Sequence, residues 1–229
     1  DEIYTAIFSP DSKRLVIAGN TSEVRIWKEN SPLVILKGHS APVSFAEFSP
    51  DGNRILTAGW DRTAKIWRLD GTLENTLEGH TQMLSIARFS PDGKWVATAS
   101  LDNSIIIWQI DGTMVRKFAG HTALISSLTF SPDSSRLLSA SWDGSAKIWN
   151  LEDGFSKTLV GHTQSINSIA INSVGSIIVT ASYDNTDRIW IMEGSLIAIL
   201  RGHTGTVNAA VFSGDWAEII TASNDSTAR

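Results

Sequence analysis

The 229-residue chain contains no cysteine, which excludes disulfide bonds, thiolate nucleophiles and cysteine-based metal sites. It also lacks any apolar run near the roughly 18 residues that a membrane-spanning helix needs. The formal net charge of −5 and the pI near 5.5 argue against an extended nucleic-acid-binding surface. Because 42% of the residues are hydrophobic and only 19% are charged, we expect a folded chain with a large core.

Histidine, aspartate and tryptophan recur with a fixed spacing. All five histidines follow a glycine, and His39 and His80 are 41 positions apart, as are all later neighbouring pairs. Five aspartates and four tryptophans keep the same register, whereas Trp27 precedes Trp67 by 40 positions. Three residue types in one register over five repeats indicate a supersecondary unit of about 41 residues that is used several times.

Each repeat contains the signals of four short strands. Alternating apolar residues follow the histidine, and a Pro-Asp turn such as the one at Pro50 comes next. A short apolar run, a tight turn with the recurring aspartate and a strand ending in Ile-Trp follow. A second turn, as at Asp70-Gly71, leads to a fourth strand. Four strands without a helical stretch predict an antiparallel sheet, and radial stacking of such sheets predicts a propeller.

The Gly-His pair, the FSPDG segment, the turn aspartate and the Ile-Trp pair resemble the WD-repeat β-propeller family. The resemblance covers nearly the whole chain. The aspartate that usually follows the tryptophan in this family is absent, and the residues found there are Lys28, Arg68, Gln109, Asn150 and Ile191.

The resemblance implies one all-β propeller domain over residues 1–229, with antiparallel four-stranded blades. We expect five complete blades at about 1–37, 38–78, 79–119, 120–160 and 161–201, and most of a sixth at 202–229. An unsealed ring would expose strand edges. We therefore expect these residues to be a piece of a longer chain, whose remainder closes a six- or seven-bladed ring.

The resemblance also implies a hydrogen-bonded tetrad of His, Ser or Thr, Asp and Trp in each complete blade. Its members would be His39, Thr57, Asp61 and Trp67; His80, Thr98, Asp102 and Trp108; His121, Ser139, Asp143 and Trp149; His162, Thr180, Asp184 and Trp190; and His203, Thr221 and Asp225. The first repeat has Ile17 and Thr21 in place of the hydroxyl and the aspartate, although Trp27 remains. A half-satisfied buried network is worse than none, so this joint loss fits a structural role.

Ser139, His121 and Asp143 have the composition of a catalytic triad. The same trio recurs in every complete repeat, so we interpret it as structural and expect no catalytic residue. Each His/Asp pair would lie in its own blade, so three or four ligands would not converge on a metal. No G-x-x-x-x-G-K phosphate loop is present, and we expect neither a metal nor another cofactor.

The residue before each turn aspartate is unusual, because turns favour polar residues or glycine there. In the family this turn lies on the narrower top face. Exposed apolar residues on that face would form a binding hot spot, and the alternative is that the rings lie flat over neighbouring blades. The candidate partner-binding residues are Tyr4, Asn20, Trp60, Met83, Leu101, Leu124, Trp142, Tyr183 and Asn224. Trp216, in a turn, is a candidate second contact on the opposite face.

Asp187 stands at a third-strand position that is apolar in the other repeats, where Val24, Ala64, Ile105, Ala146 and Ala228 occupy it. A carboxylate there is costly unless it is paired or solvated. Two interpretations stay open. Either the strand is a partly exposed outer strand, or Asp187 makes a lateral contact with a partner.

The sequence favours a non-catalytic scaffold that binds a peptide or a partner domain on the top face. The alternative is a sensor or autoinhibitory module of a larger multidomain protein, such as an ATPase-linked receptor. An enzyme that uses the central channel would need titratable groups there, and the top-face positions offer only Glu2. We expect protein partners, neither nucleic acid nor a membrane, and a location in the cytoplasm, with the nucleus as the second compartment.

Overall fold

A computed structural model describes residues 2–29, 31–214 and 218–229, and its 22 regular elements are all β-strands. No helix occurs in these ranges. The chain divides into two compact units, unit 1 at Asp1–Gly120 and unit 2 at His121–Arg229.

Unit 1 contains three four-stranded antiparallel sheets, in which the strands follow chain order. The first sheet is β1 (Ile3–Phe8), β2 (Arg14–Gly19), β3 (Glu23–Lys28) and β4 (Val34–Lys37). The second is β5 (Val43–Phe48), β6 (Arg54–Gly59), β7 (Thr63–Arg68) and β8 (Leu73–Glu78). The third is β9 (Leu84–Phe89), β10 (Trp95–Ser100), β11 (Ser104–Gln109) and β12 (Met114–Ala119).

Unit 2 contains two four-stranded sheets and, in its described residues, a final two-stranded sheet. The fourth sheet is β13 (Ile125–Phe130), β14 (Arg136–Ser141), β15 (Ala146–Asn150) and β16 (Ser156–Leu159). The fifth is β17 (Ile166–Ile171), β18 (Ile177–Ser182), β19 (Asp187–Ile191) and β20 (Leu196–Leu200). The sixth is β21 (Val207–Phe212) and β22 (Ile219–Ser223), and Ala228 forms an isolated antiparallel bridge with Ala222.

The Ser-Pro-Asp-Gly segments close the turn between the first and second strands of a sheet. In the second sheet, Ser49 Oγ donates to Asp51 Oδ1 at 2.5 Å, and the Gly52 amide donates to the Ser49 carbonyl at 2.8 Å. The Arg54 amide returns a hydrogen bond to Ser49 Oγ at 2.9 Å. Gly52 has φ of 71°, a conformation that costs glycine little. Local side-chain bonds therefore set where β5 ends and β6 begins.

The cores lie between consecutive sheets of each unit. In unit 1, Val16, Val24 and Trp67 belong to one buried cluster between the first and second sheets, and a further cluster joins the second and third. In unit 2, Ile148 and Trp190 belong to a buried cluster between the fourth and fifth sheets. Each large apolar side chain buried in this way contributes about 1.5–3 kcal/mol. A sheet that lies between two others buries both of its faces. This explains why its second and third strands are apolar along almost their whole length.

Asp187 is buried, with 2% of its surface exposed, so the interpretation that its side chain is partly exposed on an outer strand is wrong, although other residues of the strand are half-buried. On β19 it stands opposite Ala181 of β18, and opposed residues share one face of a sheet. Ala181 packs with Val207 and Ala210 of β21. The aspartate therefore faces the sixth sheet of its own unit, and burial leaves it no room for a lateral contact with an external partner.

Candidate partner-binding surface

The Gly-His motif of unit 2 at His121 closes a polar set within the fourth sheet. The ring nitrogen Nδ1 of His121 lies 2.8 Å from Asp143 Oδ2, and Nε2 lies 2.7 Å from Ser139 Oγ. Trp149 Nε1 donates to the same hydroxyl oxygen at 2.9 Å. Because the carboxylate only accepts, Nδ1 carries the proton and Nε2 accepts from the serine hydroxyl. Every polar atom of the set is thereby engaged.

The same contacts of histidine with the carboxylate and the hydroxyl occur in each of the other sheets from the second to the sixth, and in the second, third and fifth sheets a tryptophan Nε1 also donates to the hydroxyl. The Nδ1–carboxylate distances are 2.7–3.0 Å, and the Nε2–hydroxyl distances are 2.7–2.9 Å. The further sets are His39, Thr57, Asp61 and Trp67; His80, Thr98, Asp102 and Trp108; His162, Thr180, Asp184 and Trp190; and His203, Thr221 and Asp225. In the first sheet the Thr21 hydroxyl donates to the Glu23 carbonyl instead, and Trp27 is 51% exposed.

The electrostatics of these sets oppose catalysis. Burial lowers the pKa of His121, and the neighbouring carboxylate offsets this only in part. Burial by itself would raise the pKa of Asp143, but hydrogen bonds from Ser145, the Thr122 amide and His121 lower it to about 2. The imidazole is therefore neutral and the carboxylate ionised near pH 7. Ser139 is 0% exposed, so a substrate could not reach its hydroxyl without unfolding the sheet.

A backbone hydrogen bond positions the residue before each turn aspartate. The Trp60 amide donates to the Pro42 carbonyl at 2.8 Å, and the Trp142 amide donates to the Leu124 carbonyl at 2.9 Å. The same bond is made by Asn20 to Glu2, Leu101 to Met83, Tyr183 to Ser165 and Asn224 to Thr206. It joins the loop that follows the histidine to the turn that carries the aspartate. The backbone of this turn is therefore fixed to the backbone of the loop that follows the histidine.

The unit 1 patch consists of Tyr4, Asn20, Trp60, Met83 and Leu101. The rings of Tyr4 and Trp60 stack with their centroids 5.9 Å apart and their planes 22° apart. Trp60 thus lies against a residue of the neighbouring sheet, as the alternative interpretation predicted, yet it stays 40% exposed. Met83 and Leu101 are exposed to a similar degree, and Asn20 Oδ1 accepts from the Glu2 amide at 3.1 Å.

The unit 2 patch consists of Leu124, Trp142, Tyr183 and Asn224. Trp142 is 49% exposed and Tyr183 is 41% exposed. Asn224 is also exposed, and its Oδ1 accepts from Asn208 Nδ2 at 2.6 Å. Leu124 is half-buried, so it presents less surface than the two aromatic residues.

Sequence reasoning missed an ion pair between the second and third sheets. Glu47 Oε2 lies 2.8 Å from Arg88 Nη1, and Glu47 Oε1 accepts from the Phe89 amide at 2.5 Å. The Arg88 guanidinium lies over the Phe45 ring, 4.5 Å from its centroid. Burial raises the pKa of Glu47, and Arg88 opposes that shift in part. Opposite charges at the same position of consecutive repeats were the signal in the sequence.

Several other site classes find no support in the described residues. No group of three or more histidine, aspartate or glutamate side chains within residues 2–29, 31–214 and 218–229 is arranged to hold a metal ion. In the same ranges no helix is long and apolar enough to span a bilayer. Trp216, the candidate contact on the opposite face, lies outside the described residues.

Comparison with known families agrees with the repeat structure. The family model described as WD domain, G-beta repeat matches residues 30–68, 71–109, 112–150, 154–190 and 194–229. No curated protein matches this sequence. The five matched segments span most of the chain, and each of the first four contains one Ile-Trp pair in the register described above. The chain therefore belongs to the WD40 repeat family, as its Gly-His, turn-aspartate and tryptophan register predicted.

Proposed function

We propose that this protein is a non-catalytic interaction scaffold that captures a peptide or a partner domain through the unit 1 patch and the unit 2 patch. WD40 repeats generally mediate protein–protein interaction. Exposed aromatic side chains among polar neighbours are what binding hot spots contain. The enclosed His/Asp/hydroxyl sets support a scaffold over an enzyme, because their groups are used within the sheets.

The exposed stack of Tyr4 and Trp60 is the observation that supports this proposal most. Because stacking already restricts the rotamers of both side chains, they lose little conformational entropy when a ligand binds. The net binding free energy is therefore more favourable. The Trp60 amide bond to the Pro42 carbonyl fixes one side of the turn. On the other side, the Thr63 amide donates to Asp61 Oδ1 at 3.1 Å, and Asp61 in turn is held by His39. The hydrogen-bonded set of His39 and Asp61 thus orients Trp60, which precedes Asp61 in the turn.

The side chains of the patches indicate the chemistry of the partner. Tyrosine, tryptophan, methionine and leucine offer apolar area, and the aromatic hydroxyl and indole groups add hydrogen bonds at the rim. Methionine adapts its shape to the contacting group. A partner segment with an aromatic or aliphatic anchor, flanked by backbone amides that reach Asn20 or Asn224, fits this surface.

Removing one tryptophan from each patch tests the proposal. We expect the Trp60→Ala, Trp142→Ala double variant to bind its partner at least about 100-fold more weakly, because each hot-spot truncation costs about 2 kcal/mol or more. The partner is first captured with the unaltered protein, and Kd is then measured by calorimetry for each variant. The two single variants measure how much of this loss comes from each patch.

The matched control removes one exposed aromatic residue from each unit outside the patches, in a Trp27→Ala, Phe155→Ala variant. These side chains are 51% and 68% exposed, more than either patch tryptophan. We expect their loss to leave Kd within about threefold of the unaltered protein. Equal binding by the folded patch variant, with its thermal unfolding unchanged, would reject the proposed surface.

A further inference from the structure

Asp187 occupies a site that the other sheets fill with apolar side chains. Its counterparts Val24, Ala64, Ile105 and Ala146 are all 0% exposed. Asp187 is itself 2% exposed, so the packing geometry is unchanged while the chemistry differs. The fifth sheet therefore buries a carboxyl group at the position where the first four sheets bury a methyl or a larger aliphatic group.

The surroundings of Asp187 do not compensate a negative charge. Its Oδ1 atom has no hydrogen-bond partner among the described residues. The strands around it, β17, β18, β20, β21 and β22, carry no charged side chain. Arg188 follows in the chain, but adjacent residues of a strand point to opposite faces, and its guanidinium lies beside Gly161. An ionised carboxylate in such a place is strongly disfavoured.

Two titratable groups reach Asp187 from neighbouring segments. His203, in the loop between β20 and β21, favours the ionised carboxylate, and Asp184, in the turn between β18 and β19, disfavours it. Both ring nitrogens of His203 are already engaged, since Nδ1 lies 2.7 Å from Asp225 Oδ2 and Nε2 lies 2.8 Å from Thr221 Oγ1. The imidazole therefore has no donor left for Asp187.

We propose that Asp187 makes the packing of the sixth sheet against the fifth sensitive to pH near neutrality. The protonated carboxyl is tolerated between β19 and β21. Ionisation places an unpaired charge there, and the residues of β21 and β22 then separate from β17–β19 more often. Unit 2 thus carries a local opening that grows as the pH rises.

The direction follows from linkage. Burial raises the pKa of Asp187 to about 7, while an aspartate in the opened chain ionises near 3.8. The stabilising effect of the protonated group is complete below pH 3.8 and is lost as the pH rises through about 7. The pKa of Asp187 thus differs by about three between the closed and the opened unit. We therefore expect the equilibrium constant for opening to rise by roughly 10- to 100-fold between pH 5 and pH 8.

Hydrogen exchange measures this opening in the intact protein. After correction for the intrinsic exchange rate at each pH, we expect the β21 and β22 amides to lose protection by roughly 10- to 100-fold between pH 5 and pH 8. The internal control is β15 of the fourth sheet, where Ala146 occupies the position equivalent to Asp187. Its corrected protection should stay constant.

Two variants separate the charge from the shape. Asp187→Asn keeps the size without the charge, and Asp187→Ala installs the residue that the second and fourth sheets use. Both should abolish the pH dependence of β21 and β22 and leave the protection of β15 unchanged. A carboxyl carbon NMR titration of Asp187 in the unaltered protein should show a midpoint near 7. A midpoint below 5, or an equal pH dependence in the asparagine variant, would overturn the proposal.

Discussion

Replacing Asp143 with alanine should lower the free energy of unfolding by roughly 3 kcal/mol. The carboxylate accepts from the imidazole of His121, from the amides of Thr122 and Ser145, and from the Ser145 hydroxyl at 2.7 Å. Its loss leaves these donors without a partner, and an unpaired buried donor costs about 1–3 kcal/mol. Urea denaturation followed by tryptophan fluorescence measures the change.

The matched control for this substitution is Asp153→Ala in the same unit. Asp153 is an exposed turn aspartate, and the structure gives it one backbone bond, from the Phe155 amide at 2.8 Å. We expect its replacement to cost about 0.5 kcal/mol. Equal effects of the two substitutions would show that the polar set does not stabilise the fourth sheet.

The stabilisation by Asp143 should also depend on pH in a defined window. Its pKa of about 2 in the folded protein lies below the value of 3.8 that it has without these hydrogen bonds. A carboxyl with a lowered pKa stabilises fully above its unfolded value and loses that effect as the pH falls towards the folded value. The difference is worth roughly 2 kcal/mol, so the unaltered protein and the Asp143→Ala variant should converge in stability between pH 4 and pH 2.

Replacing Arg88 with alanine should cost about 3 kcal/mol, because it leaves the Glu47 carboxylate buried without its cation. This figure is at the lower end for broken buried pairs, since the Arg88 side chain is 32% exposed against 14% for Glu47. The variant also loses the contact with the Phe45 ring. Because burial raises the pKa of Glu47, and the variant lacks the cation that opposes this shift, the loss should become smaller as the pH falls and Glu47 takes up a proton.

A double-mutant cycle isolates this pair. We expect Glu47→Gln to restore part of the stability lost in Arg88→Ala, because the neutral amide removes the unpaired charge. Additive effects in the cycle would contradict the ion pair's role in joining the second and third sheets.

The repeat register predicted the fold of this chain almost completely. The apolar segment RILTAG, for example, predicts the second strand of its repeat, and it forms β6 at Arg54–Gly59. Such positions are predictable because turn chemistry and apolar alternation act within a few residues. The partners within each polar set also lie at constant sequence offsets, so the members that the family resemblance implies could be assigned in every repeat.

Contacts between sheets were harder to predict. The burial of Asp187, the pairing of Glu47 with Arg88 and the stacking of Tyr4 on Trp60 all depend on which side chains meet when two sheets pack. Strand periodicity gives the face on which a residue lies but not the identity of its neighbour across the interface. Asp187 was misjudged for this reason, because its carboxyl group suggested exposure while its position dictated burial.

We propose that the five Gly-His motifs form structural sets and that the unit 1 patch and the unit 2 patch bind the partner. The nitrogen NMR spectrum of the imidazoles tests this most directly. We predict that all five rings donate from Nδ1 and accept at Nε2, and that His39, His80, His121 and His162, whose pKa values burial lowers, titrate at a lower pH than free histidine. Rings that carry the proton on Nε2, or a titration of those four histidines at or above the pH at which free histidine titrates, would contradict it.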